Sequence, residues 1–280
     1  MIDLNNQEIE AIIDFLRLKT GTDLSNYARA SLNRRINRFF EMKKLTGVGE
    51  FKERLQKDKE FTDVFIDEIT VNVTEMFRDP GFWIELRNTV FPKLAGKRII
   101  NIWHAACSTG EEVYSMAILL KEAGLLDKAR IVATDLNGTA LKKSREGVYT
   151  LKSQSLNERN YALFSGARKL SDYYERQDNL VKFDDALVKN VEFKKHDLVR
   201  DGVIGVFDLI LCRNVLIYFN FNLQEKVLEL FTRSLSEDSF LGIGSKESIT
   251  WTRADKYFRT VSLEEKIYRK TNTELIKNCV

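Results

Sequence analysis

The chain has 280 residues, a net charge of +3, 44% apolar residues and 30% charged ones. That is enough material for one α/β domain and a smaller companion, and the charge is too balanced to call for a nucleic-acid partner. Three cysteines and two histidines without paired spacing argue against a disulfide framework or a metal site and for a reducing, cytoplasmic setting; no membrane-length apolar run and no leader pattern are read.

Residues 1–72 read as an all-helical domain. Ile9, Ile12, Ile13 and Leu16 form an apolar stripe that stops at Thr20-Gly21-Thr22-Asp23. A second helix is expected over Leu24–Leu45, with Leu32, Ile36, Phe39 and Phe40 inward and Arg29, Arg34, Arg35 and Arg38 outward. On pattern alone such a charged face is either a solvated surface or a docking surface for an acidic partner. Two shorter helices follow, Glu50–Lys57 and Phe61–Ile69.

The junction Asn72-Val73-Thr74-Glu75-Met76-Phe77-Arg78-Asp79-Pro80 leads into residues 73–280, read as an α/β domain. Trp83, Leu86, Val90 and Phe91 mark the buried face of a helix. Arg98–Trp103 then reads as a buried strand, and Ala105–Gly110 as a small-residue turn. A helix opens on Glu111-Glu112, with Val113, Met116, Ala117 and Leu120 at helical spacing. Strand, tight turn and helix are the opening of a nucleotide-binding βαβ unit, and Asp135 ends the next strand where a carboxylate can accept from ribose hydroxyls. The turn is not G-x-G-x-x-G. Two carboxylates at the helix start suit the helix dipole but repel phosphate. That favours a nucleoside without phosphates and with positive charge, such as S-adenosylmethionine, over NAD or ATP; an ordinary βα turn is the plainer alternative.

A helix over Thr139–Arg145 should stop at Gly147. From 149 to 190 the pattern dissolves into polar and aromatic residues, too long a stretch for a plain loop. Strands are expected over Asn190–Leu198, Phe207–Cys212, Phe240–Gly244 and Lys266–Lys270, with an amphipathic helix over Gln224–Leu235. His196 reads as structural.

Ala106-Cys107-Ser108-Thr109-Gly110-Glu111-Glu112-Val113-Tyr114-Ser115, Ala133-Thr134-Asp135 and Cys212-Arg213-Asn214-Val215-Leu216-Ile217-Tyr218-Phe219 together resemble the CheR-type chemotaxis receptor methyltransferases. The resemblance runs from the first helices to about Arg269. It implies a mostly parallel, Rossmann-like methyltransferase sheet, an N-terminal helical domain and a small antiparallel β insertion at 149–190. It implies transfer of a methyl group from S-adenosylmethionine, leaving S-adenosylhomocysteine, to glutamate side chains on the cytoplasmic helices of chemoreceptors. By the same resemblance Arg78 and Tyr218 are the catalytic pair. Asn72, Thr74, Arg78, Glu112, Asp135, Asp197, Leu198, Arg213 and Asn214 hold the cofactor. Arg29, Arg34, Arg35 and Arg38 meet the acidic receptor helices. The single glycine of Phe164–Ser171 departs from the glycine-rich turn of the members that grip a receptor C-terminal peptide, and Asp197 stands where asparagine is more usual. A glutamate acceptor, with a reference pKa of about 4.3, needs no general base. No metal, nucleic acid or membrane insertion is expected, and the chain is read as a monomer. The alternatives are a small-molecule carboxyl methyltransferase and a non-catalytic, cofactor-binding signalling adaptor.

Overall fold

The structure, a computed structural model, describes residues 4–70 and 74–271. Asn72, one of the expected cofactor contacts, lies outside the described residues, as does Cys279. The chain forms two compact units: residues 1–72 with 217–226, and residues 73–216 with 227–280.

In the first unit α1 (Asn6–Thr20) starts with a capping box: Asn5 Oδ1 accepts from the Glu8 amide and Glu8 Oε2 from the Asn5 amide, at 3.0 and 2.9 Å. It stops at Gly21, φ 78°. Helices α2 (Arg29–Lys43), α3 (Val48–Lys57) and α4 (Lys59–Ile69) close on an aromatic core. There Phe39 meets Phe65 at 4.9 Å and Phe51 meets Phe65 at 4.7 Å, edge to face. Helix α2 begins five residues later than its pattern suggests, because 24–28 is spent on another pairing. Tyr27 bridges to Phe219, the Ala28 amide donates to Tyr218 O at 2.7 Å, and the Asn220 amide donates to Asn26 O at 2.9 Å.

The second unit opens with α5 (Pro80–Glu85), a π turn at Leu86–Val90 and α6 (Phe91–Leu94). Trp83, Leu86, Val90 and Phe91 are all buried, as their spacing predicts. Strand β1 (Ile100–Ala105), helix α7 (Glu111–Glu122), β2 (Ala129–Asp135) and α8 (Gly138–Glu146) follow the expected order, and Gly147 closes α8 at φ 62°. Next come β3 (Val148–Thr150), α9 (Leu151–Phe164), β4 (Tyr174–Gln177) and β5 (Leu180–Phe183), which make a three-stranded antiparallel sheet in the order β3-β5-β4 and a 14-residue helix. The small antiparallel sheet agrees with expectation; the helix does not follow from the apolar pattern. β6 (Val191–Lys195), β7 (Phe207–Cys212), α10 (Phe221–Ser234, its first residues in the other unit), β8 (Leu235–Ile243), β9 (Phe258–Ser262) and β10 (Ile267–Lys270) complete the chain.

The main sheet has seven strands in the order β6-β2-β1-β7-β8-β10-β9, with the first five parallel and β10 antiparallel to both its neighbours. This is the S-adenosylmethionine-dependent methyltransferase arrangement, with its helical N-terminal partner and small antiparallel sheet. From β1 the chain moves outward through β2 to β6, then returns to pair β7 on the other side. That reversal between β1 and β7 opens a crevice at the carboxyl ends of the strands, where ligands sit in open α/β sheets. Strand β7 is buried from end to end, which explains the unbroken apolar run Leu209-Ile210-Leu211 in its sequence. Among the described residues no helix is long and apolar enough to cross a membrane.

Candidate functional site

The turn after β1 is bent by three left-handed residues, Ala106 (φ 61°), Ser108 (φ 52°) and Gly110 (φ 94°). At Gly110 only glycine serves: the backbone is left-handed and an added Cβ would lie 2.2 Å from Ser144 Oγ. The turn is pinned from β2. Asp135, 7% exposed, accepts from the Ser108 amide through Oδ2 at 2.7 Å and from the Asn137 amide through Oδ1 at 2.8 Å. Burial raises the Asp135 carboxyl above its ordinary range, and those amides, with the Leu136 amide, pull it back.

Glu112 is the centre of a buried charge network. Its Oε1 lies 2.9 Å from His104 Nδ1 on β1, and its Oε2 accepts from Arg213 at 3.2 Å. Burial works against the Glu112 charge, but the His104 and Arg213 contacts outweigh it and hold the carboxyl below the usual carboxylate range. Arg213 reaches further. It donates to Asp79 Oδ2 at 2.8 Å and to the main-chain carbonyl of Arg78 at 3.0 Å, and lies over the Phe82 ring at 4.1 Å. With its side chain 2% exposed, its guanidinium is committed to these partners. What the structure gives Arg213 to do is to neutralise and place Glu112.

The Arg78 segment has no regular structure, and Phe77 (φ 50°) and Asp79 (φ 55°) are left-handed. Its main chain is held by side chains from three helices. The Met76 amide donates to Asn157 Oδ1 and Asn160 Nδ2 donates to Met76 O, both at 3.0 Å, and the Phe77 amide donates to Ser115 Oγ at 2.9 Å. Trp83 Nε1 adds a bond to Arg78 O at 3.0 Å. The Arg78 side chain, 34% exposed, sits 3.9 Å from Glu75. Thr74 is half-buried at the start of the same segment.

On the other side of the crevice Asp197 accepts from the Val199 amide at 2.8 Å, its own amide donates to Asp201, and Leu198 is buried. Asn214 is left-handed (φ 61°), and its amide and that of Gly244 both donate to the buried Glu247. A Cβ on Gly244 would stand 2.7 Å from the Asn214 nitrogen, so glycine lets the two turns touch. Glu112, Asp79, Arg213 and the Arg78 backbone are thus tied into one network, Asn214 adjoins it through Arg213, and Asp135 separately pins the turn that precedes α7.

In the first unit the expected docking arginines divide. Arg29 pairs with Glu10 and Arg38 with Glu68 (3.2 Å), and Arg34 is exposed. Arg35 is half-buried, donates to Glu68 O at 3.3 Å and lies over the Tyr218 ring at 5.9 Å. It is packed into the unit instead of facing outward, a correction to the outward face expected for all four.

A family model described as "CheR methyltransferase, SAM binding domain" matches residues 72–267, and one described as "CheR methyltransferase, all-alpha domain" matches residues 7–70. The chain belongs to the CheR methyltransferase family. It is 40% identical to the methyltransferase Cher3 of Pseudomonas putida over 264 residues, 94% of this chain and 97% of that protein. A chemotaxis protein methyltransferase of Listeria monocytogenes is 36% identical over 82% of this chain and 85% of its own. A solved N-methyltransferase, NodS of Bradyrhizobium japonicum in complex with S-adenosylhomocysteine, aligns with 71% of this chain and 89% of its own at 12% identity, with a TM-score of 0.39.

The cofactor of this CheR chain is S-adenosylmethionine, and the donor set suits it. Carboxylates face the turn and the first turn of α7, where a dinucleotide site would bring amides and no acids to a pyrophosphate. An ammonium and ribose hydroxyls are what Glu112 and Asp135 are chemically fit to bind.

The sequence pattern passes over three contributors: Asp79, Ser115 and the Asn157–Asn160 pair. Only Asp79 carried a hint, an acid directly before a helix-starting proline.

Glu111 behaves unlike its neighbour. Burial pushes its carboxyl up to about 7, with the Thr109 hydroxyl, its own backbone amide and Lys143 only partly offsetting it. A carboxyl raised in the folded state favours folding while neutral; that advantage is complete below its unfolded value and is lost as pH rises through about 7. Glu111→Gln, which keeps an acceptor for Thr109, is therefore expected to stabilise the protein by about 1–3 kcal/mol at pH 8 and to lose its advantage near pH 4.5. Thermal melts of both proteins across that range check it.

Proposed function

We propose that this CheR chain methylates ionised glutamate side chains on the cytoplasmic helices of bacterial chemoreceptors, giving the methyl esters used in sensory adaptation. The observation that carries the reading is Arg213: one buried guanidinium holds both the carboxylate fit for the cofactor's methionine end and the main chain at Arg78. The cofactor site and an arginine able to orient a carboxylate are thereby built as one piece. The chemotaxis methyltransferases matched over most of this chain support the choice of acceptor.

When bound, S-adenosylmethionine supplies an electrophilic methyl group. The chain's own residues do the rest by placement and removal of water, effects that together contribute up to about 7–11 kcal/mol. Glu112 holds the ammonium and Asp135 the ribose; Asp197, Leu198 and Asn214 line the adenine side, with Thr74 near the entrance. Arg78 orients the acceptor carboxylate in its fork geometry, with a grip loose enough to release the neutral ester. By the family resemblance Tyr218 is the catalytic partner of Arg78, and Arg35 lies over its ring. Arg29, Arg34 and Arg38 give the receptor helices a basic face, and the reaction takes place in the cytoplasm.

The test is incubation of the protein and methyl-tritiated cofactor with a soluble cytoplasmic fragment of a chemoreceptor, followed by base. Label in the fragment that base releases as methanol, and that disappears with Arg78→Ala, is the expected result. Label in small carboxylic acids alone, or cofactor binding without transfer to any acceptor, overturns the reading in favour of a small-molecule enzyme or an adaptor.

A further inference from the structure

The imidazole of His104 is fully buried on β1, and its Nδ1 is 2.9 Å from Glu112 Oε1. Glu112 is held in its ionised form, and an ionised carboxylate only accepts. The proton between them therefore belongs to Nδ1, and Nε2, which has no partner among the described residues, is left a bare acceptor. That is the less costly way to bury an unpaired ring nitrogen, because no N–H is stranded. Arg213 takes the second oxygen of Glu112 from the opposite side. The carboxylate is thus clamped at both oxygens, each with a lone pair left over for a ligand. The other titratable groups that bear on it are Cys107 in the turn and Cys212 at the end of β7, whose thiols burial keeps protonated, and Asp79, which shares Arg213.

We propose that His104, as the Nδ1–H tautomer, is a positioning residue for the cofactor: through Glu112 Oε1 it fixes the carboxylate that receives the cofactor's ammonium group. This rests on the reading of Glu112 as the methionine-end contact. Arg213 alone neutralises Glu112 but leaves it free to turn about its Cγ–Cδ bond, and the β1 imidazole stops that rotation. The ammonium then meets a carboxylate already oriented, and no ordering is left to be done on binding.

The experiment is S-adenosylhomocysteine titration calorimetry on the wild type, His104→Phe, His104→Asn and Glu112→Gln, from about pH 4 to about 8.5, a range whose acid end reaches the carboxylate region. His104→Phe is expected to weaken binding about 10-fold at the alkaline end, the equivalent of one charge-assisted hydrogen bond. It is also expected to bring the acid-side fall in affinity about one pH unit higher, because Glu112 has lost a group that favours its charge. His104→Asn, whose amide can stand where Nδ1 stood, restores most of both; a purely structural role would not move the pH profile. Wild-type affinity and profile in His104→Phe, with Glu112→Gln impaired, overturn the proposal alone, while a Glu112→Gln variant that binds normally overturns the reading of Glu112 as well. Should His104→Phe fail to fold, nitrogen-15 NMR of the wild type decides: with two histidines in the chain, a His104 ring protonated at Nδ1 and bare at Nε2 upholds the proposal, and a proton on Nε2, alone or together with Nδ1, overturns it.

Discussion

Arg213→Ala is expected to abolish methyl transfer and to cost about 3–5 kcal/mol of stability, the penalty for breaking a buried ion pair from one side. The side chain is 2% exposed and joins Glu112, Asp79 and the Arg78 carbonyl. Its loss takes the guanidinium from two carboxylates together, leaving, among the described residues, Glu112 with His104 alone and the Arg78 carbonyl with Trp83 alone. Arg213→Lys retains the charge, but one ammonium on a flexible stem cannot reproduce the planar fork that spans all three and stacks on Phe82. It should therefore recover part of the stability and little of the rate. Urea unfolding followed by single-turnover transfer separates the two effects. A lysine variant with full activity would mean that the network supplies charge and no geometry.

Asp135→Ala is expected to lower S-adenosylhomocysteine affinity at least 100-fold while leaving the melting temperature close to wild type. Binding suffers twice, through the lost ribose acceptor and through the freed Ser108 amide that shapes the turn. Charge-assisted hydrogen bonds of this kind are worth about 1.5–3 kcal/mol each. Stability suffers little because burial already disfavours the Asp135 charge, so its removal returns part of what it takes away. Asp135→Asn makes the sharper test. One carboxamide oxygen can serve the Ser108 or the Asn137 amide, and the NH2 group then faces the other donor. An isosteric variant that binds as weakly as alanine would show that both acceptors are needed. Calorimetry with melting curves on the same samples provides both numbers.

The cofactor half of the site is legible in the sequence because it is local: strand β1, the turn ending at Gly110, the acids opening α7 and Asp135 at the tip of β2 lie within one βαβ unit. Arg213 could be named but its work could not, since Asp79 and Glu112 are 134 and 101 residues away along the chain. Helix α9 escaped for a different reason. Its inward positions, Gln154, Asn157, Asn160, Tyr161 and Phe164, do recur at helical spacing, but three of them are amides. Apolar periodicity detects helices that bury hydrocarbon, whereas this one buries hydrogen-bonding groups for a segment that has no secondary structure to satisfy its own. Helix α2 starts later than expected because Tyr27 pairs with Phe219 and the Ala28 amide is spent on Tyr218 O, a pairing across about 190 residues that no local pattern shows. The strand β9 was missed because its middle, Arg259-Thr260, is exposed on the sheet edge and shows no alternation.

The way α9 grips residue 76 and α7 residue 77 has a consequence for how this enzyme can diverge. Asn157 and Asn160 bond to the amide and carbonyl of Met76, and Ser115 to the amide of Phe77, groups that every non-proline residue possesses. The bonds from Trp83 and Arg213 to Arg78 likewise end on its carbonyl oxygen. The anchor therefore recognises the path of the chain and is indifferent to the side chains at Thr74 and Arg78. On the proposed role of Arg78, mutation there alters which acceptor is presented to the cofactor without dismantling the support beneath it. A descendant could explore new substrates one substitution at a time while inheriting its scaffold unchanged.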